Sequence, residues 1–393
     1  MRAPPGLPAR IRTDTTNPFA HHTMKVRVPE ILDAVRENNP DYGTQAMAQL
    51  AELASALRNN HPLPALDPSG PDAEGWARAL GAREGERWLA TDWFFAENYA
   101  YRLACDAVGF WQTGRDPFGP IKQAEYRSFA LRAALDAAAA TAGAPRERLS
   151  ELLLCAVFGN RIDLSFAASR ERGVLASYDD LLIDEREAAI ETLVSGSGPL
   201  HIVLDNAGTE LSVDLVMTSC LLEQLGKSVV WHVKSHPCFV SDAIAADVHW
   251  LLEGDDPDAR LLWQAASPAA RRCRQVVREA LGTSLRLAPH HFWNSAGSLW
   301  EAPPELALEL ASAGACFLKG DAHYRRALGD ALWPPDTPTR HATSYFPAPL
   351  LLLRTLKSDP IVGLAAGQAE TLDQADSRWR VNGQRGIAAF GGR

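Results

Sequence analysis

Five short, largely apolar runs in the second half of the chain, each followed by a polar or helix-patterned segment, restrict the fold more than any other feature. They are LHIVLD (200–205), SVVWHV (228–233), SLRLA (284–288), ACFLKG (315–320) and LLLLR (350–354). Helical patterns lie between them, from about Glu210 to Leu225, through 241–282, near 303–313 and near 321–332. Strands that are apolar along their whole length and alternate with helices belong to a parallel sheet covered on both faces. The expectation is an α/β fold of three layers, a mostly parallel sheet with helices on both faces.

Ahead of the SGSGP stretch at 195–199 the pattern differs. From Pro29 to about Val194, apolar residues recur at three- and four-residue steps, and Asn39-Pro40, the run from His61 to Pro71, and Gly143-Ala144-Pro145 interrupt them as helix stops do. This predicts an N-terminal arm over 1–25, an all-helical module over 26–195 and an α/β metal- and phosphate-binding domain over 196–393. Aromatics at 88, 93, 99, 101 and 111 read as core residues of amphipathic helices.

Charge and cysteine content narrow the partners. Lys plus Arg number 39 against 48 Asp plus Glu, a formal charge of -9, which disfavours nucleic acid as a partner. No uncharged stretch is long enough to span a bilayer, and the basic N-terminus has no apolar core behind it, so a cytoplasmic protein without membrane contact is expected. Six cysteines, at 105, 155, 220, 238, 273 and 316, form no CxxC pair and suit buried thiols.

In an open parallel sheet, ligands bind beyond the strand carboxyl ends, where loops converge and helix N-termini present free N–H groups. Four polar clusters fall there: Asp205-Asn206, Ser241-Asp242, Lys319-Gly320-Asp321 with Ala322, His323, Tyr324 and Arg325 following, and Arg354 to Lys357. Asp205, the amide oxygen of Asn206 and Asp242 are hard oxygen ligands suited to Mg²⁺ or Mn²⁺. Lys319, Arg325 and Lys357 add positive charge to the same rim, which is sensible when a phosphate sits between them and the cation. Each cluster also has a plain reading, as helix cap or strand-ending turn. Asn160 and Asp163, in FGNRIDLS (158–165), are accessory positions that could face the cleft from the end of the helical module, although a glycine cap and Asx turn explain that stretch without function.

Other chemistries fit less well. A haloacid-dehalogenase-type phosphatase needs a second carboxylate two residues after its nucleophile, where this chain has Ala207. A dinucleotide or methyl-transfer cofactor wants several glycines after the first strand, and Asp205-Asn206-Ala207-Gly208-Thr209-Glu210 has one. His290-His291 lacks metal-ligand spacing and reads as a structural pair.

At these positions the sequence resembles the damage-control phosphatase family, domain of unknown function 89, in its sugar-phosphate branch. DNAGTELSVDL (205–215), FVSD (239–242), KGDAHYR (319–325) and RTLK (354–357) carry the resemblance, and FAHHTMKVRVPEIL (19–32), DWFFAENYAYR (92–102) and DPFGPIKQAE (116–125) extend it upstream. It implies metal ligation by Asp205, Asn206 and Asp242. It also implies substrate contacts from the stretch Asp321 to Arg325 and from Lys357. Asp205, Asn206 and Lys319 are expected to touch the same substrate, with Arg354 as an accessory. The implied activity is hydrolysis of small phosphomonoesters, including fructose phosphates, with Mn²⁺, Co²⁺, Ni²⁺ or Mg²⁺. The family usually has Asn where this chain has His323. Glu210 matches a position linked to a proposed S-adenosylmethionine-dependent carboxyl methylation, so a carboxyl methyltransferase using that cofactor is the alternative, with a non-catalytic sugar-phosphate-binding protein as the third reading.

Overall fold

The computed structural model describes residues 1–66, 70–158 and 180–393. Asn160 and Asp163 lie outside the described residues. Among the described residues seven strands form one sheet: β1 (Leu181–Asp184), β2 (Leu200–Val203), β3 (Val229–Val233), β4 (Leu285–Pro289), β5 (Ala315–Lys319), β6 (Pro349–Thr355) and β7 (Gly386–Gly392). Their order is β1-β7-β6-β5-β2-β3-β4, and every pairing is parallel except β6 with β7. The five runs read from the sequence are all strands. The sequence does not mark β1 and β7: β1 is only four residues, two half-buried, one buried and one exposed, and β7 (GIAAFGG) hides among glycines.

Two apolar layers sandwich the sheet. On one face the helix Thr209–Glu223 is buried all round, between the strands and the helices Phe129–Ala139, Pro145–Val157 and Pro268–Ala280. Its polar members are paired: Thr218 accepts from Trp231 Nε1 at 3.0 Å, and Asp214 accepts from Lys319 Nζ at 2.6 Å. The other face is closed by Leu306 and Leu310 of helix Pro304–Ala311 and by Ala327 and Leu328 of helix Asp321–Leu328. A third core, centred on helix Trp93–Ala107, belongs to the first hundred or so residues. The helical segment is therefore not uniform, since its later helices share the core of the sheet. Helix Arg186–Ser195 places Ala189, Ile190 and Leu193 in that same core, so packing continues across residue 195, where the sequence suggested a boundary.

The N-terminal arm is laid between these units. Ile11 N donates to Asp330 O at 2.8 Å, Ile11 O accepts from Trp93 N at 2.9 Å, and Thr13 N donates to Thr91 O at 2.9 Å. All six cysteines are free and buried. Among the described residues no helix is long and apolar enough to cross a membrane.

One buried pair gives the fold a pH dependence. His201 on β2 and His232 on β3 lie under helix Pro304–Ala311, and burial pulls His201 from its ordinary 6.5 to about 4, with Glu309 opposing and Arg286 assisting; His232 is also pulled down. Between those pH values the unfolded chain holds a proton on this residue that the native chain does not, so the contribution is full above 6.5 and lost as pH falls toward 4. The melting temperature of His201→Gln should fall less than that of the parent as pH drops from 7 to 5; parallel curves would refute this.

Candidate functional site

The sheet order reverses between β2 and β5, since β3 and β4 continue from one and β6 from the other. Chains diverge at such a switch point and leave a crevice beyond the strand ends. Asp205 and Asn206 follow β2, and Gly320 and Asp321 follow β5, on its two sides.

Backbone bonds bolt the first two clusters together. Asn206 and Asp242 form an isolated antiparallel bridge, with Ala207 N donating to Ser241 O and Ala243 N to Asp205 O, both at 2.7 Å. The loop carrying Ser241 and Asp242 is strained: Phe239 and Val240 have φ of 47° and 71°, unfavourable for any L-residue and more so for a β-branched one. Such strain collects at sites where a loop is held for a purpose. The last two clusters are joined by Gly320 N donating to Leu353 O at 2.8 Å and Lys357 N donating to Asp321 Oδ1 at 3.1 Å.

These loops open onto one cavity of about 410 Å³. Asp205, Asn206, Ser241 and Asp242 line one side, and Asp321, Ala322, Arg325 and Lys357 line another. Asn206 Nδ2 donates to Asp205 Oδ2 and to Glu210 Oε1, both at 2.9 Å, while its Oδ1 accepts from Ser241 Oγ at 2.6 Å. Asp242 meets Lys234 Nζ at 2.8 Å. Burial, and then the carboxylates of Glu210 and Asp242, push the Asp205 carboxyl well above its usual range. Burial also raises Asp242, against the pull of Lys234 and Lys122. Three buried carboxylates around one amide, one of them strongly resisting ionisation, form a hard-oxygen donor set whose repulsion a divalent cation would relieve. The residues fit such an ion.

Several expected contacts lie elsewhere. Lys319 does not line the cavity; it is buried one layer down against Asp214, whose carboxyl burial raises to about 6 despite that ammonium. A lysine at the end of a fully buried strand needs a counterion, and Asp214 on the buried helix supplies it. His323 and Tyr324 are also outside the lining. They are the inward residues of their helix turn: His323 packs edge-on against Trp293, and Tyr324 lies under the Arg354 guanidinium at 4.2 Å. His323, where the resemblance implies Asn, therefore lies in the packed interior. Arg354 donates to the carbonyls of Ser358 and Pro360 and approaches Asp321 at 3.4 Å, so it shapes the loop that carries Lys357. Glu210 stands behind Asn206 as its hydrogen-bond partner.

The N-terminal helices supply much of the remaining wall, through residues that the sequence does not single out. Arg27 ends a π-helical turn over Thr23–Arg27 and lines the cavity, as do Trp93, Glu97 and Tyr101 on one face of helix Trp93–Ala107. Trp93 and Tyr101 are thus both core and cavity residues. Arg325 donates to Glu97 Oε2 at 2.6 Å and to Asp330 at 2.7 and 3.1 Å, with its plane 3.6 Å over Trp93. Lys122 Nζ donates to Asp242 O at 2.9 Å and to Asp247 at 2.8 Å, and Glu125 accepts from Thr209 N at 2.8 Å, capping the helix that follows Asp205. The available signal was a charged residue inside an aromatic helical run, Glu97, and two charges in DPFGPIKQAE, Lys122 and Glu125.

Fold and cavity together define an α/β protein with an acidic, oxygen-lined pocket roofed by helices at a sheet switch point. The family model described as the damage-control phosphatase ARMT1-like domain matches residues 23–372, and the chain belongs to that family. It is 30% identical to the damage-control phosphatase ARMT1 of Rattus norvegicus over 443 aligned residues, covering 98% of this chain and 99% of that protein. It is 28% identical to the ARMT1 of Xenopus laevis over 438, covering 97% and 98%. A solved DUF89 family protein from Pyrococcus horikoshii matches with a TM-score of 0.49 and 15% identity, over 93% of this chain and 97% of that one.

Proposed function

We propose that the protein is a divalent-metal-dependent phosphatase of small phosphorylated metabolites, with sugar phosphates such as fructose 1-phosphate or fructose 6-phosphate as substrates. The observation that carries this reading is the convergence of Asp205, Asn206 and Asp242 with Arg325 and Lys357 on one cavity. Its size lies in the range of about 300–1,000 Å³ usual for small-molecule sites. RTLK at 354–357 supports the sugar-phosphate branch. The action in a cytoplasmic setting belongs to the same proposal.

Asp205, Asn206 and Asp242 would hold the cation; Asn206 Oδ1 keeps a lone pair beyond the one used by Ser241. Bound there, Mn²⁺, Mg²⁺, Co²⁺ or Ni²⁺ supplies Lewis acidity toward a phosphoryl oxygen. Arg325 has three of its five N–H groups engaged, so two remain for an anion without losing its anchorage. Lys357 is exposed and has no ion-pair partner among the described residues, which leaves its ammonium free to close on phosphate. Trp93 and Tyr101 restrict water on the helical side. The carboxyl-methyltransferase reading draws little support, because the single glycine of the turn after β2, Gly208, faces the Glu125 carboxylate: a Cβ there would lie 2.4 Å from it.

Turnover of a panel of phosphorylated sugars with each metal, beside S-adenosylmethionine with protein acceptors, tests this. Phosphate release supports it; methyl transfer, or sugar-phosphate binding without turnover, would overturn it. Lys357→Ala should raise KM roughly 10- to 100-fold, the worth of a charge-assisted hydrogen bond, and leave metal affinity within about threefold. Loss of metal affinity with KM unchanged would reassign this lysine.

A further inference from the structure

Outside the cavity, on the sheet face beneath helix Pro304–Ala311, two histidines from neighbouring strands meet. His201 Nδ1 lies 2.8 Å from His232 Nε2, with the rings stacked at 5.1 Å and 29°. Glu309, on that helix, brings a carboxylate oxygen to 3.9 Å from the same Nδ1, and its other neighbour is Arg286 of β4, an ion pair at the surface. Both imidazoles are buried, and the far nitrogen of one, His232 Nδ1, has no hydrogen-bond partner among the described residues.

We propose that His201, His232 and Glu309 form a second cation site, for a borderline transition-metal ion such as Zn²⁺, bound through two imidazole nitrogens and one carboxylate oxygen. The three ligand atoms lie within 4.8 Å of one another. Bonds of about 2.1 Å at a tetrahedral angle place ligand atoms roughly 3.4 Å apart. The two rings must therefore part slightly and the Glu309 carboxylate must close in, which a side chain on a partly exposed helix face can do. The proton shared between the rings moves to the far nitrogen of its own ring, so both facing nitrogens offer lone pairs and no proton need leave. Burial, which keeps these rings neutral, favours ligation over protonation. Imidazole ligands select Zn²⁺, Co²⁺, Ni²⁺ or Cu²⁺, whereas the oxygen set in the cavity suits Mg²⁺ and Mn²⁺. The ion acts as a staple between β2 and β3, two residues ahead of Lys234, and Arg286 competes with it for Glu309.

The test uses Co²⁺ as the probe and the Asp205→Ala chain, in which the cavity lacks one of its proposed ligands. One equivalent of Co²⁺ should bind, with visible bands of a low-coordinate site carrying nitrogen ligands, and excess Mg²⁺ should not displace it. Substituting the buried histidines risks the fold, so two surface changes carry the argument. Glu309→Gln should weaken binding at least about tenfold, and Arg286→Met should tighten it. No Co²⁺ uptake, or uptake indifferent to both changes, as from leftover cavity carboxylates or a bare histidine–histidine hydrogen bond, would overturn the site.

Discussion

Asp205→Ala is expected to abolish metal-stimulated hydrolysis of p-nitrophenyl phosphate and leave the metal-free protein as stable as its parent. Its carboxylate sits among Glu210 and Asp242, buried and repelled by both, so its removal relieves a strained cluster. The backbone links around it do not involve the side chain: Asp205 O still accepts from Ala243 N. On the proposed metal-dependent reading, loss of this ligand would remove Lewis-acid stabilisation worth about 4 kcal/mol or more, roughly a thousand-fold in rate. Melting curves with and without Mn²⁺ give a second readout, because a ligand that binds only the native state raises its melting temperature. The parent should gain stability from Mn²⁺ and the variant should not. Parent-like turnover in the variant would remove Asp205 from the metal site.

Gly320→Ala should damage stability and activity together. Gly320 joins β5 to its helix with φ of 86° and ψ of 165°, a region open essentially to glycine alone. A Cβ there would lie 2.0 to 2.2 Å from the Asp205 carboxyl atoms, so alanine must push that carboxylate away from Asn206 and Asp242. The backbone cost is about 1–3 kcal/mol, and misplacing a reacting group by about 1 Å costs on the order of a hundred-fold in rate. A lowered melting temperature with kcat/KM reduced by about that factor is the expected result. Intact metal affinity and full activity would show that β5 does not shape the proposed cation site.

The fold was legible where large apolar residues run on without interruption along a strand. LHIV, VVWHV, ACFLK and LLLLR are covered on both faces, so their side chains cannot alternate, and that lack of alternation marks them as parallel strands. Gly386–Gly392 carries no such signal; it is a strand because β6 and β1 pair on its two sides. Strand polarity also located the rim, since Asp205, Asn206, Asp242, Arg325 and Lys357 all line the cavity as their positions after strands suggested.

By itself the sequence determined the layered α/β fold, the carboxyl-end rim and the family, because these depend on local apolar continuity and on residues fixed within a few positions of a strand end. Only the tertiary structure decided which charges face the cavity. Lys319 and Arg325 are equally basic on paper, yet one is neutralised by Asp214 beneath the pocket and the other is held by Glu97 and Asp330 at its wall. Arg27, Trp93 and Glu97 reach the site from more than a hundred residues upstream. A side chain's reach and counterion are set by whatever packs across from it, and that neighbour comes from a distant part of the chain.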